Sequence, residues 1–365
     1  MSSIAFDSIG GEWIDPPMLM PAAIPLELSG EAIRTRLITS SDPAGEDMAL
    51  RPDLTLAVAT HHIKSGTEGP VSYRYYGKAF RQPANETDPL EFYQTGFESF
   101  AHESGKDRDI LALSAICEAI SDTGLKSIRL RIGNISIFSN VVRALKLSPY
   151  WEDQLNRAFR RQGGLQTLFN SGTSLPRSAL ATTLAGLPSE QANALLDEVL
   201  AMSGGQVIGG RTREDILQRL QQRADAQREG PLPERIRSLL MDVIGLEGAP
   251  DQVITRLRAI LQASDIDLSD QLDSLSDMFN ELQRLGLPYL DTAHLSVQFG
   301  RRFDYYDGLV FELLHQNLGP GRSVAAGGRY DGLMSRLSGG AMTATAVGGV
   351  IRPDRLEQAR NAEGV

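Results

Sequence analysis

Alternating apolar and polar residues predict the sheet-forming parts of this chain. A period of two runs through residues 73–81, 90–98, 126–132 and 295–299, and a short apolar run covers 309–314. The first two strands are separated only by a loop, so we expect them to pair as a hairpin. The pattern therefore predicts a sheet built from both the N-terminal and the C-terminal parts of the chain.

Helical periodicity dominates the rest of the sequence. Residues 56–62, 107–124 and 135–147 follow a 3.6-residue period, and Gly124 is placed to cap the second of these helices. Further helical segments, separated by Gly and Pro, lie near residues 151–162, 189–203, 212–226, 233–244, 251–262 and 269–285. We predict a discontinuous sheet domain, 1–150 with 286–365, interrupted by a helical insertion at 151–285 that carries no catalytic cluster.

Composition narrows the class of protein. The 365 residues can bury a large core, and 46 acidic against 36 basic residues give a net charge of −10, which argues against a nucleic-acid partner. The single cysteine, Cys117, excludes an internal disulfide and favours a reducing compartment. No apolar run approaches the roughly 20 residues of a membrane span, and no signal peptide is evident. We expect a cytoplasmic protein without a membrane partner.

The densest chemistry lies between residues 295 and 332, where Gly-bordered turns hold Arg, Tyr and Asp side chains. Such turns can bring N–H and guanidinium groups up to an anion. The text RRFDYYDGLVFE at 301–312 resembles the Arg-Gly-Leu-Asp-Tyr-Tyr-x-Gly-x-Val-Phe-Glu signature of histidyl-tRNA synthetases, with Arg302 in place of glycine. The text AGGRYDGL at 326–333 resembles their second signature. The resemblance implies an α+β fold: a class II synthetase-like antiparallel sheet flanked by helices.

The same resemblance implies a pocket for histidine. LRPDLT at 50–55 is similar to the family's Leu-Arg-Pro-Glu-x-Thr, whose carboxylate holds the α-amino group, and residues 92–98 match its Phe-x-Gln-x-x-x-Glu. Carried over residue by residue, carboxylates face the ammonium, tyrosines enclose the imidazole and an arginine binds the carboxylate. The implied histidine-binding residues are Asp53, Thr55, Arg81, Gln94, Glu98, Arg301, Tyr305 and Tyr306. An alternative interpretation is that these side chains now only support the fold.

The parts that the family uses for ATP are altered. Arg81 matches the arginine that holds the α-phosphate, but Pro83 replaces a glutamate and the loop at 82–89 carries two acids and no base, which repels a triphosphate. Arg355 matches the last arginine of a Gly-x-x-Arg-Leu pattern, although Arg352 and Pro353 interrupt that text. We interpret this as a lost ATP site beside a retained amino-acid site, with no cofactor and no metal.

Two further features complete the resemblance. Residues 13–21, which their prolines hold extended, resemble motif 1 of the class II synthetases, and Pro17 matches the proline of that motif. Motif 1 builds the dimer interface in the family. An ordinary Pro-rich edge segment is an almost equally good interpretation. The chain also ends soon after Arg355, where a synthetase continues into an anticodon-binding domain, so we expect that domain to be absent.

This combination resembles the regulatory-subunit family of ATP phosphoribosyltransferase, the first enzyme of histidine biosynthesis. Members are synthetase paralogues that associate with a short catalytic subunit in a hetero-octamer built on homodimers. They are required for its activity and take part in feedback inhibition by L-histidine. The resemblance implies a non-catalytic, allosteric subunit. Two alternatives stay open: a truncated ligase that makes histidyl-adenylate or charges another acceptor, and a stand-alone histidine sensor.

Overall fold

The computed structural model describes most of the chain. The described residues are 6, 8–67, 69–84, 88–102, 105–161, 163–170, 231–300 and 305–365, with a few isolated residues between 183 and 198. The predicted helical segments 189–203 and 212–226 therefore lie largely outside them. The chain divides into two compact units, one made of residues 1–137 and 243–365 and the other of residues 138–242.

A large sheet organises the first unit. Within the described residues its nine strands are, in spatial order, β1 (Glu12–Ile14), β5 (Val71–Phe80), β6 (Glu91–Ala101), β12 (Thr345–Ile351), β11 (Ser323–Arg329), β10 (Leu309–His315), β7 (Ile128–Asn134), β9 (His294–Ser296) and β8 (Glu247–Gly248). Neighbours are antiparallel except β1 with β5 and β7 with β9. A small second sheet has the order β2 (Leu19–Pro21), β4 (Asp47–Leu50) and β3 (Thr39–Ser41). The strands thus come from both ends of the chain, as the alternation predicts.

Helices flank this sheet. Those of the first unit are α1 (Ala23–Leu28), α2 (Glu31–Arg34), α3 (Leu54–Ser65), α4 (Lys106–Ser121), α9 (Pro250–Gln262), α10 (Ser269–Arg284), α11 (Asp331–Leu337) and α12 (Pro353–Glu363). Helix α4 buries Leu113, Ile116 and Cys117, which confirms the apolar stripe seen in the sequence. None of the helices in the described part of the chain is long and apolar enough to cross a membrane.

The second unit is helical where it is described. It contains most of α5 (Ile135–Ala144) together with α6 (Pro149–Phe159), α7 (Gly164–Asn170) and nearly all of α8 (Glu234–Ile244). Helix α6 begins where the Ser148 side chain accepts a hydrogen bond from the Trp151 N–H, with proline in the first turn. The Phe138 and Phe159 rings stack with centroids 4.2 Å apart, which ties α5 to α6.

The division into units differs from the pattern-based grouping of helices. The sequence pattern places α9 and α10 in the insertion, whereas both helices belong to the compact unit that contains the sheet. Lys106 of α4 reaches Asp277 of α10 at 3.1 Å in that unit. An amphipathic pattern identifies a helix and its apolar face but not the body on which that face packs. The boundaries 151–285 therefore stay a prediction.

Candidate functional site

A cavity of about 400 Å³ opens on one face of the large sheet, over strands β6, β10, β11 and β12. It brings together six of the eight residues that the sequence singled out, namely Asp53, Thr55, Arg81, Gln94, Tyr305 and Tyr306. Glu98 lies below the cavity wall, fully buried. Arg301 lies outside the described residues, so its predicted role stays a prediction.

Asp53 caps the start of α3 and also lines the cavity. Its Oδ1 accepts a 2.9 Å hydrogen bond from the Leu56 N–H, which makes it the N-cap of the helix. Its Oδ2 is buried. Burial raises the pKa of this carboxyl, and the nearby Arg81 guanidinium and a hydrogen bond with the Tyr305 side chain oppose that rise. One carboxylate oxygen is thus fixed by the N-cap hydrogen bond, and the carboxylate interacts with Arg81 and Tyr305 of the cavity wall.

Glu98 supports the cavity from underneath. Its Oε1 accepts hydrogen bonds from the Thr55 hydroxyl at 2.6 Å and the Tyr75 hydroxyl at 3.1 Å, and its Oε2 accepts one from Tyr330. Gly348 makes room for it, because a Cβ there would lie 1.7 Å from Oε2. Burial raises the pKa of Glu98 to about 7, although these three hydrogen bonds lower it. Three hydroxyl donors therefore stabilise the ionised form of a carboxyl whose ionisation is disfavoured by burial.

Gln94 and Arg81 supply donors to the same cavity. Gln94 Oε1 accepts a 3.1 Å hydrogen bond from the Leu54 N–H, so its amide NH₂ group is the half that remains for other contacts. Arg81 Nε donates to the Pro52 carbonyl at 2.6 Å, which anchors the guanidinium beside the start of α3. Burial lowers the pKa of Arg81 to about 10, and Asp53 raises it. Arg81 stays charged at neutral pH.

The donors and acceptors of these four residues form a pattern suited to a zwitterion. When Glu98 is ionised, the Thr55 hydroxyl gives its one proton to Glu98 and can only accept from a ligand, and the Asp53 carboxylate is a second acceptor on the cavity wall. Gln94 and Arg81 can donate. Paired acceptors bind an ammonium group and paired donors bind a carboxylate. This set of donors and acceptors therefore has the chemistry to bind both charged ends of a zwitterion.

Tyrosine rings form one side of this cavity. Tyr305 and Tyr306 line the cavity with ring centroids 4.8 Å apart, and the Tyr330 ring lies edge-on to Tyr305 at 5.9 Å. Burial raises the pKa of all three hydroxyls, so they stay protonated. Neutral Tyr hydroxyls can both donate and accept, which suits a polar aromatic ring such as imidazole.

Arginines crowd the other end of the cavity. Arg36, Arg322, Arg352 and Arg355 line it together with Asp88. Arg322 lies 4.0 Å from Asp88, and Arg352 is paired with Asp354. Burial and the neighbouring Arg352 together lower the pKa of Arg355 to about 9. Acidic side chains thus already offset part of the positive charge at this end.

Glu312 is a cavity residue that sequence reasoning did not single out as a ligand. It is buried on β10 and lies 3.4 Å from Arg131 of β7, its partner in register. Glu312 is the last residue of the first signature, so it belongs to a motif that the sequence analysis identified. Its spacing within that motif did not predict that its side chain faces the cavity. Arg322 and Arg352 were missed because they reach the cavity only through tertiary contact.

The second signature mainly supports the fold. Arg329 donates to Asp109 at 3.0 Å and to the Gly105 carbonyl at 2.8 Å, and it also contacts Asp331. These bonds join β11 to the starts of α4 and α11. Neither Arg329 nor Asp331 lines the cavity.

Comparison with known proteins agrees with this arrangement. A family model described as histidyl-tRNA synthetase matches residues 3–227 and 195–356. The chain is 30% identical over 362 residues to the ATP phosphoribosyltransferase regulatory subunit of Agrobacterium fabrum, covering 96% of this chain and 93% of that protein. It is also 30% identical to the protein of the same name from Allorhizobium ampelinum, with 97% and 95% covered.

Solved structures share the fold. A Bacillus halodurans protein described as an ATP phosphoribosyltransferase regulatory subunit/histidyl-tRNA synthetase aligns with a TM-score of 0.62 at 20% identity, over 97% of this chain and 76% of that one. Histidyl-tRNA synthetase from Nostoc aligns with a TM-score of 0.59 at 18% identity, over 98% and 69%. These alignments confirm the predicted class II synthetase-like fold.

Proposed function

The chain belongs to the histidyl-tRNA synthetase-like family of ATP phosphoribosyltransferase regulatory subunits, and from that premise we propose that it is a non-catalytic subunit of this enzyme. In the proposal it binds a short catalytic subunit in a hetero-octamer built on homodimers and is needed for its activity. It also takes part in feedback inhibition by L-histidine. The proposed complex acts in the first step of histidine biosynthesis, in the cytoplasm.

One observation carries the ligand part of this proposal: hydrogen-bond acceptors and donors suited to the two charged ends of an amino acid line one cavity. Asp53 and the Thr55 hydroxyl are acceptors, and Gln94 and Arg81 are donors. We propose that histidine binds with its ammonium at the acceptors, its carboxylate at the donors and Arg301, and its imidazole beside Tyr305 and Tyr306. Glu98 contributes negative charge behind Thr55.

The charge of the cavity supports a non-catalytic role. A nucleoside triphosphate needs uncompensated cations, but Asp88 lies 4.0 Å from Arg322, and Asp354 accepts two hydrogen bonds from Arg352. Asp88 belongs to the acidic loop that replaces a basic loop in the synthetases. Its carboxylate would repel the phosphates that these arginines attract.

The truncated ligase is the competing function, and the presence of Arg81 and Arg355 on the cavity wall favours it. An exchange assay separates the two. We expect no histidine-dependent exchange of pyrophosphate into ATP by the purified chain above a blank without protein. Clear exchange would replace the regulatory proposal with the ligase.

Reconstitution tests the regulatory function directly. The short catalytic subunit should gain activity when this chain is added, and histidine should inhibit the complex. Asp53→Asn is the informative variant, because asparagine caps a helix as well as aspartate but carries no charge. We expect it to keep the activation and the melting temperature while histidine inhibition weakens about ten- to hundredfold, the worth of a charge-assisted hydrogen bond.

The control variant is Asp153→Asn, which changes an acid on α6, outside the cavity, that forms an ion pair with Arg157 at 2.8 Å. It should leave both activation and inhibition unchanged. Activation without any inhibition by histidine would retain the regulatory subunit but remove its histidine site. No activation at all would reject the proposal.

A further inference from the structure

Arg352 covers the face of an aromatic ring that lines the cavity. Its guanidinium carbon lies 3.7 Å from the centroid of the Phe92 ring, within the separation of about 3.5–4.0 Å at which non-bonded atoms make optimal contact. Both residues line the cavity, and they are only 9% and 7% exposed. The layer directly over this ring is therefore occupied by the protein itself.

The sheet register explains how the two side chains meet. Ile351 of β12 pairs with Thr95 of β6, so the next residues along each strand, Arg352 and Gln94, lie side by side on the opposite face. Gln94 lines the cavity. Phe92 lies two residues before Gln94 in β6, so its side chain is on the same face of the sheet as that of Gln94. Arg352 reaches along the cavity face from the end of β12 to Phe92.

Hydrogen bonds hold Arg352 in this position. Its Nε donates to Asp354 Oδ1 at 3.1 Å and its second terminal nitrogen donates to Oδ2 at 2.9 Å. Its backbone N–H donates to the Val324 carbonyl at 2.9 Å. A guanidinium fork bonded twice to one carboxylate has a fixed plane, and its contact with the ring adds cation–π attraction. The side chain is part of the cavity wall.

We propose that Arg352 determines which class of ligand the cavity accepts: by covering Phe92 it keeps the base of a nucleoside or nucleotide from stacking on this ring. Proteins hold bases by stacking them on exposed aromatic rings, and Phe92 lies on the same wall as Arg81 and Arg355. Arg352 stands at the glycine of the Gly-x-x-Arg-Leu pattern, where a glycine has no side chain to fill this space. The inference rests on the proposed function, since it explains how such a cavity takes an amino acid without a nucleotide.

Adenosine binding to the intact chain tests this proposal. Adenosine is uncharged, so removing an arginine does not change its electrostatic attraction to the cavity. We expect calorimetry to detect no binding at millimolar adenosine for the wild type, and binding about five- to a hundredfold tighter than that detection limit for Arg352→Ala, the gain from one base stacked on the uncovered ring. Arg322→Ala is the matched control, because it removes a cavity arginine that does not contact Phe92, and it should behave as the wild type.

A third variant, and separate assays on the wild type, keep the test decisive. Asp354→Ala retains Arg352 but releases its fork, so it should give intermediate adenosine affinity; it replaces Arg352→Ala if that variant does not fold. Equal adenosine binding by wild type and both variants, including no binding by any, would overturn the inference. Failure of the proposed function has a separate signature in the wild type, namely pyrophosphate exchange or no effect on the catalytic subunit.

Discussion

The Thr55 hydroxyl donates a 2.6 Å hydrogen bond to Oε1 of Glu98. An ionised carboxylate can only accept, so above the Glu98 pKa of about 7 this bond directs the Thr55 proton away from the cavity that Thr55 lines. The lone pairs of the hydroxyl are then directed to a ligand. A residue below the wall thus sets the hydrogen-bonding character of a residue on the wall.

Replacing Glu98 with Gln should weaken histidine binding. The amide can donate to Thr55, which frees the Thr55 proton to point at the ligand ammonium, and it also removes a negative charge behind the cavity. We expect the dissociation constant for histidine, measured by calorimetry with and without the catalytic subunit, to rise about ten- to hundredfold, or roughly 1.5–3 kcal/mol.

The matched control for this experiment is Tyr75→Phe. It removes a second hydroxyl donor to the same Glu98 oxygen without touching Thr55, so it should change histidine affinity far less than Glu98→Gln. Equal affinities of wild type and Glu98→Gln would mean that the regulatory histidine binds somewhere else.

Glu98 should also make the stability of the fold depend on pH. Burial raises its pKa from 4.5 to about 7, so the folded state favours the protonated form. Its contribution is fully present below the unfolded pKa and is lost as pH rises towards about 7. We expect the free energy of unfolding by urea to fall between about pH 5 and about pH 8 by up to a few kcal/mol more in the wild type than in Glu98→Gln.

That comparison isolates Glu98 from other buried groups. His62, whose pKa burial lowers, and Asp53, whose pKa burial raises, titrate in both proteins and largely cancel in the difference. A difference between wild type and variant that is independent of pH would contradict the prediction.

The local sequence pattern predicted the strands of the hairpin well, because alternation depends only on residues that are close together in the chain. Alternation over 73–81 and 90–98 predicts the hairpin of β5 and β6, which the structure confirms with a regular antiparallel register. The grouping of α9 and α10 could not be predicted in the same way, because their amphipathic stripes do not say which surface covers them. Packing on the sheet unit is a tertiary property.

The residues of the site show the same difference between local and tertiary information. Asp53, Thr55, Gln94 and the tyrosines could be predicted because they stand in contiguous motifs whose order carries the resemblance. The contact of Arg352 with Phe92 joins positions far apart in the chain and depends on the register of β12 with β6. A sequence shows that an arginine interrupts a motif, but only the fold shows what it covers.

Glu363 should stabilise the C-terminal helix through backbone contacts. It accepts hydrogen bonds from the N–H groups of Lys126 at 2.9 Å and Ser127 at 2.7 Å, and it lies 3.0 Å from His315 Nε2. Burial alone would raise its pKa, but these bonds lower it to about 2. Glu363→Ala should cost about 1–3 kcal/mol in unfolding free energy at neutral pH.

The sign of the pH dependence is opposite to that of Glu98. A depressed pKa gives stability that is present above the unfolded value of 4.5 and is lost as pH falls towards 2. The destabilisation by Glu363→Ala should therefore shrink in acid. Glu357→Ala, an exposed change on the same helix, is the control and should have little effect at any pH.

The predicted homodimer should depend on an exposed aromatic surface at the N-terminal edge of the sheet. Trp13 of β1, Tyr76 and Tyr93 are 43%, 44% and 40% exposed, and the two tyrosine rings stack with centroids 5.0 Å apart. Large exposed apolar groups close together are typical of interfaces. Trp13 also opens the segment that resembles the dimer-forming motif.

Trp13→Asp should therefore shift the isolated chain from dimer to monomer in sedimentation velocity at micromolar concentration, because it removes a large aromatic ring from this surface and puts a charge in its place, beside Arg74. Leu285→Asp is the matched control: Leu285 is 52% exposed but lies at the end of α10, so this variant should sediment as the wild type does. A wild-type chain that sediments as a monomer under these conditions would contradict the predicted homodimer. Equal dimerisation of all three proteins would keep the dimer but place its interface elsewhere on the molecule.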